Sequence, residues 1–87
     1  MLELTLLGRA GCHLCDELAE ALAPAVATGR VHLVHADVDA EATLSRRFGR
    51  HVPVLLAGGA VLCAHRLDAA RLDSALAGRR WEPLELD

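Results

Sequence analysis

A Cys-x-x-Cys motif, Cys12-His13-Leu14-Cys15, stands where an aliphatic strand gives way to a helix. Ahead of it, Leu2-Glu3-Leu4-Thr5-Leu6-Leu7 is short and nearly alternating, as a strand is. Gly8-Arg9-Ala10-Gly11 breaks that run with two glycines in four residues. Behind the motif, Leu14, Leu18 and Leu22 recur every four residues on one helical face. The acidic Asp16, Glu17 and Glu20 fall elsewhere and read as a solvated face, whose charge opposes thiolate formation nearby. The two thiols therefore lie one helical turn apart, close enough to join in a small-loop disulfide. Cys12 is expected at the helix N-terminus, where free amides and the helix dipole favour an anion. The thiolate is the reactive form of cysteine, so this position marks Cys12 as the attacking sulfur. Cys15, inside the first turn, is expected to be more buried and to resolve a mixed disulfide on Cys12.

The rest of the chain reads as β-α-β-α-β-β-α. Pro24 lacks an amide donor and crowds the preceding turn, so the first helix is expected to end or kink there. Any continuation to Thr28 should stop at Gly29. Val31 to Ala36 reads as a second strand, and Asp39 as the N-cap of a helix from about Ala40 to Phe48, stopped by Gly49. Val54–Ala57 and Ala60–Ala64 read as strands joined through Gly58-Gly59, a pair able to supply the positive φ of a tight turn. Asp68 is expected to cap a helix from about Ala69 to Ala77, closed by Gly78. A tail with Trp81 and Pro83 follows, to Asp87. Eighty-seven residues suit one domain, taken as 1–87.

Hydrophobic residues make up 53% of the chain, and the aromatics are Phe48 and Trp81, so the expected core is aliphatic. A formal charge of −3 argues against a dedicated nucleic-acid binder. No stretch approaches the roughly 20 apolar residues of a membrane span. The apolar run at Leu4–Leu7 is short and follows Glu3, unlike a signal peptide. Three cysteines are odd in number and few for a secreted disulfide scaffold. The expected location is the cytoplasm, with no nucleic-acid or membrane partner, and the expected state is a monomer. Two other readings of the motif stay open. Cys12 and Cys15 could be half of a metal-binding or metal-delivery site completed by Cys63 and histidines, though none of these forms a second ligand pair of familiar spacing. The chain could also be a redox-inactive adaptor.

Motif and element order together resemble the glutaredoxin-like branch of the thioredoxin superfamily. Three features carry the resemblance over about Leu2 to Ala77. One is Gly11-Cys12-His13-Leu14-Cys15 between strand and helix. Another is Val52-Pro53 ahead of a strand, which looks like the family's Thr-Val-Pro with a cis-proline facing the dithiol. The third is the closing hairpin and helix. The Gly-Cys-His-Leu-Cys form is most similar to small bacterial glutaredoxin-like proteins. The resemblance implies an α/β fold with a four-stranded mixed sheet of order 2-1-3-4 flanked by helices. It also implies a thiol-disulfide oxidoreductase with Cys12 and Cys15 catalytic and Arg9, His13, Val52 and Pro53 toward substrate. No bound cofactor or metal is required. The partners implied are a disulfide-bearing protein or small molecule and a thiol reductant or reductase.

Glutathione is a possible reductant with only part of its usual site. Arg9 matches a basic residue that pairs with a glutathione carboxylate in relatives. Counted from Pro53, Cys63, Ala64 and Arg66 stand where relatives have two glycines and an aspartate. His13 could favour a Cys12 thiolate when protonated, or be an exposed histidine of small effect. His51 could touch a bound substrate chain, or be a loop histidine. His32 and His35 suit a sheet edge, and His65 ends the fourth strand. Cys63 is either a third redox thiol or, more in keeping with free cysteine, a small buried hydrophobe.

Overall fold

The computed structural model describes residues 1–86; Asp87, the last residue of the domain expected from sequence, lies outside the described residues. The elements run β1 (Leu2–Gly8), α1 (His13–Ala27), β2 (Val31–Asp37), a 3-10 turn (Val38–Ala40), α2 (Ala42–Phe48), β3 (Val54–Ala57), β4 (Ala60–Ala64) and α3 (Ala69–Leu76). One mixed sheet has the order β2-β1-β3-β4. β1 and β2 pair in parallel through the α1 crossover. The β1–β3 and β3–β4 pairs are antiparallel.

Alternation along the strands builds a core on each face of the sheet. Leu4 and Leu6 of β1 pack with Leu18 and Leu22 of α1, Leu55, Leu62, Cys63 and Leu72 of α3. Leu7 turns the other way and packs with Val38, Phe48, Val54 and Val61. The core is aliphatic apart from Phe48, as the composition requires. Gly58 and Gly59 both take positive φ, 59° and 85°, in the hairpin turn between β3 and β4.

Two local readings are corrected. Helix α1 does not end at Pro24 but runs on to Ala27. Pro24 and the residue four before it, Glu20, are both exposed, so the proline sits on the face of α1 turned to water, where a carbonyl without an amide partner is least costly. The stop lies at Gly29, with φ +76°. There the Gly29 amide donates to the Val26 carbonyl and the Arg30 amide to the Ala25 carbonyl, both at 3.0 Å, closing the helix as a Schellman motif. The second correction concerns Asp39, which caps no helix. Asp37 accepts the Asp39 amide at 2.9 Å and starts the 3-10 turn, while α2 follows Glu41 without a side-chain cap.

The tail beyond α3 turns around the outer strand. Leu84 donates its amide to the Val61 carbonyl at 3.0 Å. Trp81 packs against the core on the α1 side, and Leu86 against the core on the α2 side. Arg71 holds the segment from within, donating to the Leu62 carbonyl at 2.7 Å and to the Glu82 carbonyl, with its guanidinium over the Trp81 ring. An edge strand offers unpaired backbone groups to other chains, and this wrapping covers part of that edge. The other edge is β2, where His32 and His35 are exposed, as their strand placement predicts.

Candidate functional site

The end of β1 delivers the cysteines through a tight turn. The Cys12 amide donates to the Arg9 carbonyl at 3.2 Å, and Gly11 sits third in that turn with φ +76°. A left-handed third residue is what a type II turn asks for, and glycine adopts it without a steric cost. Cys12 is then the N-cap of α1, its backbone extended and its sulfur accepting the Cys15 amide at 3.1 Å. The cap role usually filled by serine or aspartate is filled here by sulfur. The free amides at the helix start favour negative charge at that atom.

Cys12 and Cys15 are joined as a disulfide, with Cα atoms 5.2 Å apart. Cys15 is 7% exposed and Cys12 is half-buried. The two residues thus differ in burial in the sense expected from their places in the helix. Gly8 gives Cys15 room, because a methyl group there would stand 3.2 Å from the Cys15 sulfur and press on it. Sequence reading took Gly8 only as a strand breaker; its close approach to Cys15 is a tertiary contact that no local pattern announces.

Arg9 is occupied by the protein itself. Its guanidinium donates to both oxygens of Asp39, at 2.7 and 3.0 Å, and to the Gly49 carbonyl at 3.1 Å. Asp39 also accepts the Ser45 hydroxyl at 3.1 Å. Three of the five N–H groups of Arg9 are thereby used, and the dithiol turn is tied to the segment ahead of α2 and to its end. The Arg9 hydrogen bonds hold the Asp39 carboxyl below its ordinary range, with Ser45 adding to the effect. A lowered carboxyl contributes stability above its unfolded value and loses it as pH falls through the folded value. Urea unfolding of the wild type should therefore show an acid-side loss that Asp39→Asn lacks. Identical acid-side slopes in the two proteins would show that the brace does not act on stability.

His13 is 87% exposed at its side chain and pairs along the helix with Glu17, Nε2 to Oε2 at 3.0 Å. The Val52–Pro53 peptide is cis, Pro53 is buried, and Val52 packs partly against the core on the α2 side. The Pro53 carbonyl accepts the His65 amide at 2.8 Å. His65 has a left-handed backbone, φ +68°, and its ring stands edge-on to His51 with centroids 5.8 Å apart. The structure thus joins the loop ahead of β3 to the turn after β4. It also places His65, Arg66 and Leu67 across a groove from Leu14, Glu17, Leu18 and Ala21 of α1. Sequence reading gave His65 no role, and its positive φ has no signature in a residue that is not glycine.

Cys63 is free, 2% exposed and packed in the core with Leu55 and Leu62. Burial pushes its thiol up, away from the reactive form. It behaves as a small hydrophobe. Among the described residues, no group of three or more His, Cys, Asp or Glu side chains is arranged to hold a metal ion.

The fold and the sulfur pair define a thioredoxin-like α/β domain with a Cys-x-x-Cys at the start of its first helix. Residues 3–77 match the glutaredoxin-like domain (DUF836), and the chain belongs to that family. The X-ray structure of the Northeast Structural Genomics target protein XcR50 from X. campestris is 37% identical, with a TM-score of 0.69, over 88% of this chain and 99% of that one. No curated protein matches the chain. The Arg79–Leu86 segment lies beyond the family match. A glutaredoxin-like domain with a bonded Cys12–Cys15 pair fits a role in thiol redox chemistry.

Proposed function

We propose that the protein is a thiol-disulfide oxidoreductase that reduces or exchanges substrate disulfides through Cys12 and Cys15. The observation that carries this reading is the Cys12 sulfur, placed as the N-cap of α1 and bonded to the more buried Cys15. In the reduced protein the Cys12 thiolate attacks one sulfur of a substrate disulfide. A Cys12–substrate bond forms, the substrate S–S bond breaks, and the departing thiolate takes a proton. The Cys15 thiolate then attacks the Cys12 sulfur, closes the Cys12–Cys15 bond and releases the second substrate thiol. The substrate gains two electrons and two protons, and the protein loses them. A small dithiol, a reductase or glutathione returns the pair to its reduced form. The chemistry needs no bound cofactor or metal, and a reducing cytoplasm suits it.

Val52 and Pro53 are assigned to the substrate groove, where the Val52 backbone can pair with an extended chain. Arg9 keeps two N–H groups for a carboxylate, and His13 lies at the rim. Glutathione is a weak partner in this reading. Cys63 and Ala64 add bulk where relatives have glycines, and Arg66 repels the ammonium that an aspartate would accept. Losing one charge-assisted hydrogen bond costs about 1.5–3 kcal/mol. The test is single-turnover reduction of insulin by protein pre-reduced with dithiothreitol and desalted, with zinc and copper assayed on the same sample. Release of insulin thiols matched by closure of one protein disulfide is expected. Stoichiometric metal without thiol release would favour the metal-delivery alternative, and neither outcome would leave an adaptor.

A further inference from the structure

A groove that reaches Leu14, inside the Cys-x-x-Cys, carries charge that the thiol chemistry does not use. It has a volume of about 260 Å³ and runs between α1 and the turn after β4. Its α1 wall begins at Leu14, inside the Cys-x-x-Cys, and its other wall follows the turn whose His65 amide is held by Pro53, so the groove runs from the motif toward the loop ahead of β3. Leu14, Leu18, Ala21 and Leu67 give it an apolar floor. Glu17 on that wall is half exposed to solvent and contacts His13 at 3.0 Å. On the opposite wall His65 is held by the Pro53 carbonyl in a backbone region that side chains rarely adopt. Arg66 follows it, exposed, with no side-chain partner among the described residues. An apolar floor that ends at a guanidinium making no ion pair among the described residues is complementary to a short apolar segment bearing a carboxylate.

Resting on the dithiol reading above, we propose that Arg66, with His65 beside it, selects disulfide substrates that carry a carboxylate close to the attacked sulfur. The relation to a glutathione site is one of reversed charge, because an anion-binding group stands where relatives hold an ammonium. The attack itself is unchanged: two electrons pass from the Cys12–Cys15 pair to the substrate, and that pair closes as a disulfide.

Three peptides with one internal disulfide test the proposal, identical except for Glu, Gln or Lys beside the first cysteine. Single-turnover rates with pre-reduced protein are divided by the rates with dithiothreitol, which removes the intrinsic effect of the neighbour on the disulfide. The wild type should favour Glu over Lys by about fivefold, as exposed charge pairs allow, and added salt should shrink the preference. Arg66→Glu should invert the order and Arg66→Gln should flatten it, with circular dichroism showing an unchanged fold. Equal rates for the three peptides with wild type, or a Glu preference retained in Arg66→Glu, would overturn charge selection and leave the dithiol chemistry standing. No reduction of any peptide would overturn the dithiol reading and the proposal with it.

Discussion

Replacing Cys12 with serine should lower disulfide turnover by roughly a thousandfold or more, to the uncatalysed background. A serine hydroxyl at the N-cap still accepts the Cys15 amide, so the helix start survives. What is lost is, among the described residues, the one cysteine that is both partly exposed and the N-cap of a helix. Cys15→Ser should behave differently. Attack by Cys12 proceeds, but no inner thiol remains to release the product. The variant should accumulate a mixed disulfide, visible as a mass increase equal to that of the substrate and reversed by dithiothreitol. Cys63→Ala should retain turnover, since that thiol is buried in the core. Turnover retained in Cys12→Ser and lost in Cys63→Ala would reverse the assignment of the sulfurs.

Leu55→Ala should be among the most destabilising single changes. Leu55 is fully buried on the central strand β3, opposite Leu6 of β1 and Cys63 of β4. Its removal leaves a cavity that two hydrogen-bonded neighbours cannot close by moving. Large-to-small changes at such sites cost about 2–5 kcal/mol. A domain of this size has about 5–15 kcal/mol in total, and each kcal/mol lowers Tm by about 4–8 °C. Thermal unfolding should therefore shift by about 8–40 °C. Val34→Ala, on the outer strand β2 with its side chain partly open to solvent, should change stability by about 0.5 kcal/mol or less. Equal effects at the two positions would contradict the core as described.

The residues that announced themselves in the sequence are those whose role is local. Cys12 and Cys15 stand out through their spacing after a strand, and Asp68 through its place before an apolar period. The Asp68 carboxylate does accept the Arg71 amide, at 3.1 Å. Asp39 shows the limit of that reading. Its position before a helical stretch suggests a cap, but its carboxylate is drawn to Arg9, thirty residues away in sequence, and to Ser45. Asp37 takes the local capping role instead. Propensity cannot rank two aspartates two residues apart when a tertiary partner decides between them. Gly8 and His65 were hidden for the same reason. One lies close against Cys15, and the other turns left-handed where Pro53 holds its amide. The tail, with neither helical nor strand periodicity, gave no sign that it would reach around β4.

The central claim is that Cys12 and Cys15 open and close as a pair. It is tested most directly by equilibrating the protein across a series of dithiothreitol ratios, quenching in acid, alkylating after denaturation and mapping the labelled cysteines by mass spectrometry. The account predicts one two-electron transition with a slope of about 30 mV per decade, in which Cys12 and Cys15 gain label together while Cys63 is labelled throughout. Labelling of Cys12 and Cys15 at every ratio, or a transition that engages Cys63, would contradict it.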